Sequence, residues 1–117
     1  MAARLSSREQ ERHAHVPRVD RDRARIVTVP FWLPGIGATT LGRFVVVRRD
    51  RAGDRVLLAH ELVHVRQWRE LGAPRFVRAY LGEYVAGRRA GKGHHDAYLA
   101  ISFEVEARAL AAAAGSG

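Results

Sequence analysis

The chain has 117 residues, enough for one compact domain, and 47% of them are hydrophobic against 27% charged, a balance that excludes wholesale disorder. It has no cysteine, so a disulfide framework and a thiolate metal site are both excluded, and any metal must be held by imidazole and carboxylate. The formal net charge of +8 favours anionic partners, but the arginines are interspersed with Asp and Glu, a pattern that suits a solvated surface better than a dedicated polyanion site.

Residues 1–25 carry seven arginines, four acids and two histidines among few apolar side chains. That is too little apolar surface to offset the entropy of ordering the segment, so a basic, mobile N-terminal arm, helical around Ser7 to His13, is expected ahead of one domain over residues 26–117. The N-terminus lacks the apolar core of a secretory signal and no stretch is long enough to span a bilayer; a cytoplasmic location without a membrane partner is the expectation. Ile26 to Val29 is a β-branched run closed by Pro30, which reads as an edge strand or as one that ends there. Phe31 to Gly37 forms an aromatic loop punctuated by Pro34, Gly35 and Gly37. Thr39 to Arg48 contains Phe44, Val45, Val46 and Val47, the strongest strand signal in the chain, and Arg49 to Gly53 supplies a polar turn.

Asp54 is a suitable N-cap for a helix in which Val56, Ala59, His60, Val63, His64, Gln67 and Leu71 recur at helical spacing, up to Gly72, Ala73 and Pro74. Pro74 suits the first turn of a second helix whose apolar face is Phe76, Val77, Tyr80, Leu81, Tyr84 and Val85. Gly87 to Gly93 is a basic, glycine-rich connection, after which Asp96 can cap a last helix running to about Ala114. The sum is an α+β fold, a small two- to three-stranded sheet packed on the first helix and two further helices.

His60-Glu61-Leu62-Val63-His64 has the form H-E-x-x-H, and its spacing carries the chemistry. Positions i and i+4 lie on one helical face, so two imidazoles can grip one Zn2+. Glu61 is rotated about 100° from His60 and can reach a metal-bound water as general base without itself becoming a ligand. A catalytic zinc takes three protein ligands, so a third is required. Glu104, Glu106 and the pair His94-His95 are the candidates. Glu104 and Glu106 point to nearly opposite sides of a helix, and Glu104 shares its face with Ala97, Ala100, Ile101, Ala107 and Ala111, small enough to let two helices approach; Glu104 is preferred. Tyr98 and His95, with Tyr80, Tyr84 and His94 behind them, are candidate donors to a transition-state oxyanion. The strand Arg43 to Arg48 is expected to offer a sheet edge to an extended peptide, its arginines favouring acidic or carboxylate-bearing sequences.

The stretch from His60 through Gln67, with Gly72, Tyr80, Tyr98 and Phe103-Glu104-Val105-Glu106-Ala107, resembles the short bacterial gluzincins, or minigluzincins. It is also similar to the H-E-x-x-H domain of proteins associated with extracellular contractile injection systems. The resemblance runs from Thr39 to Arg108 and implies a zinc-dependent peptidase scaffold with a glutamate ligand from a later helix. The chain departs from the gluzincin pattern at Phe103 and Arg108, where Asn and Asp often stand. Zinc-dependent hydrolysis of a peptide or protein substrate is therefore the leading expectation. A catalytically silent zincin-fold module docking a protein partner is the alternative. A nucleic-acid partner is disfavoured, because no recognition motif accompanies the basic residues and no aromatics are interleaved with them.

Overall fold

The structure is a computed structural model that describes residues 2–115; Met1, Ser116 and Gly117, which the expected arm and domain include, lie outside the described residues. In chain order the elements are β1 (Ala2–Ala3), α1 (Ser7–Arg12), α2 (Arg18–Arg23), β2 (Arg25–Val29), β3 (Ala38–Leu41), β4 (Phe44–Arg48), a 3-10 turn (Arg49–Arg51), α3 (Arg55–Leu71), α4 (Ala73–Arg89), α5 (His94–Leu99) and α6 (Ser102–Gly115). This is an α+β architecture, with a four-stranded mixed sheet in the order β1-β2-β4-β3.

The run Thr39 to Arg48 reads as one strand, but the structure folds it into the hairpin β3–β4. Gly42 turns the chain: its φ of 66° is in the left-handed region, and Leu41 sits opposite Phe44, so the loop is two residues long with glycine where a type II′ turn needs it. The hairpin corrects the expectation for Arg43 to Arg48. β4 is an interior strand, parallel to β2 with Ile26 opposite Val45, and antiparallel to β3. The free edge on this side is β3. Arg48 N–H donates to the Gly37 carbonyl at 2.8 Å, so alternation along the ladder turns the backbone N–H and C=O of Ala38 and Thr40 away from β4.

Val45 and Val47 on one face of β4 meet Leu62, Val63 and Val65 of α3 and Ala107 of α6 in a single core. The N-terminal segment contributes to that same core. Leu5, Val16 and Ala24 are buried in it, β1 pairs with β2, and Ser6 and Glu9 form a capping box on α1. Asp20, fully buried, takes two hydrogen bonds from the Arg69 guanidinium at 2.5 and 2.9 Å. A composition of few apolar residues thus packs because Leu5, Val16 and Ala24 face inward, while Val19 stays exposed, and the buried carboxylate is paired bidentately with arginine.

Asp54 caps α3 by accepting from Leu57 N–H at 3.0 Å, and Gly72, with φ of 82°, separates α3 from α4. α4 runs on through Gly87 to Arg89, past the point where glycine suggests a connection. The single last helix expected from Asp96 is instead two, α5 and α6, broken at Ala100 and Ile101. Ile101 is anchored in the interior, and the Glu83 carboxylate of α4 takes the Ser102 N–H and hydroxyl at 2.8 and 2.7 Å, starting a new helix in a new direction. That direction carries Glu104 to α3.

Candidate metal centre

α3 and α6 pack closely because Ala107 and Ala111 place only methyl groups between them, with exposures of 0% and 2%. Across this contact Glu104 Oε1 lies 2.8 Å from His60 Nε2 and 3.1 Å from His64 Nε2. The two rings are 4.9 Å apart, edge to face. Glu61 is beside them, and ligand atoms of His60, Glu61 and His64 all fall within 4.8 Å of one another. Glu106 stays outside the cluster, half-exposed, ion-paired with Arg66 and hydrogen-bonded by Gln67 of the same helix α3.

The local hydrogen bonds fix how these groups are presented. Gln67 is buried; its amide nitrogen donates to the Phe103 carbonyl at 3.1 Å and to Glu106 at 2.8 Å, which leaves its carbonyl oxygen 2.7 Å from His64 Nδ1. An oxygen there requires the proton on Nδ1, so the Nε2 lone pair of His64 points at the Glu104 carboxylate. Two acceptors 3.1 Å apart repel unless a positive charge lies between them. Burial pushes His64 towards neutrality, and Glu104, with Glu61 and Gln67 adding to it, more than reverses this, raising its pKa. Burial likewise pushes Glu104 up, but its contacts with His60, His64 and Tyr80 outweigh it and hold Glu104 well below the ordinary carboxylate range. Positive charge is favoured at that point.

A metal fits the donor set. Tetrahedral bonds of roughly 2.0–2.2 Å to imidazole nitrogen and carboxylate oxygen put ligand atoms roughly 3.3–3.5 Å apart, a few tenths of an ångström wider than the separations here. The Tyr80 hydroxyl donates to Glu104 Oε2 at 2.6 Å, tying up the second oxygen and leaving Oε1 for the histidines. Burial and the bond to Glu104 raise the Tyr80 pKa, which keeps the phenol a donor. Thr40 on the edge strand holds Glu61: its hydroxyl is 3.0 Å from Glu61 Oε1 and 3.1 Å from the Glu61 carbonyl. Burial raises the Glu61 pKa, while His64, His60 and Thr40 pull it down.

These groups form the floor of a cleft of about 820 Å³ between β3 with its preceding loop and the α4–α5 wall. Tyr98 lines it, as a phenol whose pKa is raised by burial and by Glu104. His95 is exposed and is not among the lining residues; His94 is, with its Nδ1 2.7 Å from the Tyr84 hydroxyl. Sequence reasoning did not find Thr40, gave Gln67 no supporting role, and offered Tyr80 as an oxyanion donor, whereas its hydroxyl is bonded to Glu104. Gln67 had a signal, three residues after His64 on the same helical face. Thr40 had none, since it meets Glu61 only through the docking of the hairpin on α3. Phe103 packs 4.9 Å from Phe76 and 6.4 Å from Tyr80, and Arg108 donates to the Leu99 carbonyl at 2.6 Å.

Fold and site together define a small α+β domain whose His and Glu side chains form a cluster able to bind a metal ion. Over residues 34–72 the chain is similar to the family described as the eCIS core domain. That span holds β3, β4 and α3 with the whole His-Glu-x-x-His segment, and stops short of the helix that bears Glu104. No curated protein and no solved structure matches the chain. Among the described residues no helix is long and apolar enough to cross a membrane.

Proposed function

We propose that this protein is a zinc-dependent peptidase of the short gluzincin type, with His60, His64 and Glu104 as metal ligands and Glu61 as general base. The observation that carries the reading is one carboxylate oxygen of Glu104 facing both imidazole nitrogens, with a buried carboxylate beside them. Two nitrogens and one oxygen, without sulfur, suit zinc, which when bound acidifies water and polarises a carbonyl.

The side chains divide the remaining work. Glu61, oriented by Thr40, takes the proton of the attacking water on its carboxylate and returns it to the leaving amine. Its burial favours the protonated form it must pass through. Tyr98 and His94 supply donors from the far wall towards the oxygen on which negative charge develops. Ala38 and Thr40 offer outward-facing backbone groups on the edge strand, where an extended peptide adds as a further strand. This edge replaces the Arg43 to Arg48 strand in that role.

The deciding experiment pairs metal analysis of the purified chain with peptide cleavage by the native protein and by Glu61→Gln. Stoichiometric zinc, with cleavage lost in the variant, is the expected result. Absence of bound zinc, or cleavage that survives Glu61→Gln, refutes the reading. Zinc without cleavage of a broad peptide library, and a stable protein partner, would instead favour a silent docking module using the same edge.

A further inference from the structure

The geometry points to the substrate class: the cleft takes a peptide with an uncharged, apolar side chain next to the scissile bond and selects against acidic and basic ones, an inference that rests on the peptidase reading above. On a surface of net charge +8, the residues that line this cleft are conspicuously short of charge. Among the described lining residues Arg51 is the one arginine or lysine, and its guanidinium is engaged by Asp54 at 2.5 Å. The other charged groups are those of the metal cluster itself. The arginines that flank β4 are committed elsewhere: Arg43 donates to the Arg23 carbonyl at 2.9 Å, and Arg48 pairs with Asp50 at 2.5 Å. An acidic side chain entering the cleft would lose water without gaining a free cation, and a basic one would find no free carboxylate on the walls.

The walls are apolar and incompletely covered. Leu33, Ile36 and Leu41 stand exposed on the loop and edge-strand side, and Val77 and Leu81 on the α4 side. Exposed aliphatic groups on both sides of one groove are left uncovered by the described residues, and the groove's floor is the metal cluster. What covers them is therefore what the cluster acts on, a side chain adjacent to the bond presented to Glu61. The one-turn spacing of Val77 and Leu81 matches a single branched or aromatic side chain.

The test uses the zinc-loaded full chain and a series of peptidyl hydroxamates with a common metal-binding head and one variable side chain: glycine, leucine, aspartate or lysine. Affinity is measured by isothermal titration, so no turnover is needed. The leucine probe is expected to bind at least about tenfold tighter than the glycine, aspartate and lysine probes. Leu81→Glu, at a position 55% exposed, should abolish that preference. Val85→Glu, one turn further along α4 and outside the cleft lining, should leave it intact. Equal affinity across the series, tightest binding of the aspartate probe, or a preference that survives Leu81→Glu overturns the inference while the metal site stands. No binding of any probe to zinc-loaded protein overturns both readings. The leucine preference without cleavage of any peptide leaves this assignment standing and refutes hydrolysis.

Discussion

Gln67 offers the sharpest test of how the fold prepares His64. In Gln67→Leu the Nδ1–H of His64 loses its acceptor at 2.7 Å and the Phe103 carbonyl loses its donor, while Glu106 keeps Arg66. The site is 2% exposed, so water has little access to replace these partners. His64 can then rotate or carry its proton on Nε2, and either change removes the lone pair from the ligand position. Loss of such an outer partner typically weakens metal binding about 10–100-fold. Gln67→Glu separates tautomer control from general damage. It keeps an oxygen for Nδ1 but places a second carboxylate against Glu106, so zinc affinity should stay within about tenfold of native while thermal stability falls. Competition against a chromophoric chelator reads affinity, and thermal melts of the metal-free chains read stability. Zinc affinity within about twofold of native in Gln67→Leu would refute the argument that this amide sets the His64 tautomer.

Thr40→Val removes the hydroxyl that orients Glu61 without changing side-chain volume much; kcat for peptide hydrolysis should fall about tenfold or more with KM little changed, as steady-state kinetics would show. His13 is buried with neither ring nitrogen hydrogen-bonded, and burial, with His15 and Arg12 adding to it, lowers its pKa from 6.5 to about 4. The unfolded chain therefore binds the extra proton first, and stability is lost as pH falls from 6.5 towards about 4, by about 3 kcal/mol when complete; between about pH 7 and about pH 4.5 the unfolding free energy from urea titration should fall by that order more in the native chain than in His13→Leu. Gly42→Ala forces a Cβ into a φ of 66° where space is open but the backbone is strained, and should lower stability by about 1–2 kcal/mol in chemical denaturation, shifting the hairpin and with it Thr40.

The features written within a few residues of one another were legible from the chain alone. Asp54 and Gly72 delimit α3, and the one-turn spacing of His60 and His64 puts both rings on one side of it, because helical geometry is set by local backbone hydrogen bonds. The absence of cysteine restricted the donors to nitrogen and oxygen, and small residues on the Glu104 face marked where α6 could approach. What depended on distant partners was decided only by the tertiary structure. Gly42 made a hairpin of one apparent strand and moved the sheet edge from β4 to β3, and Glu83 with Ile101 split the last helix and aimed Glu104 at α3. The arginine-rich first 25 residues entered the core because three apolar side chains and one paired carboxylate found partners elsewhere in the chain. Local periodicity says which way a side chain faces on its own helix or strand; which group it meets there depends on contacts between segments tens of residues apart, which no local pattern encodes.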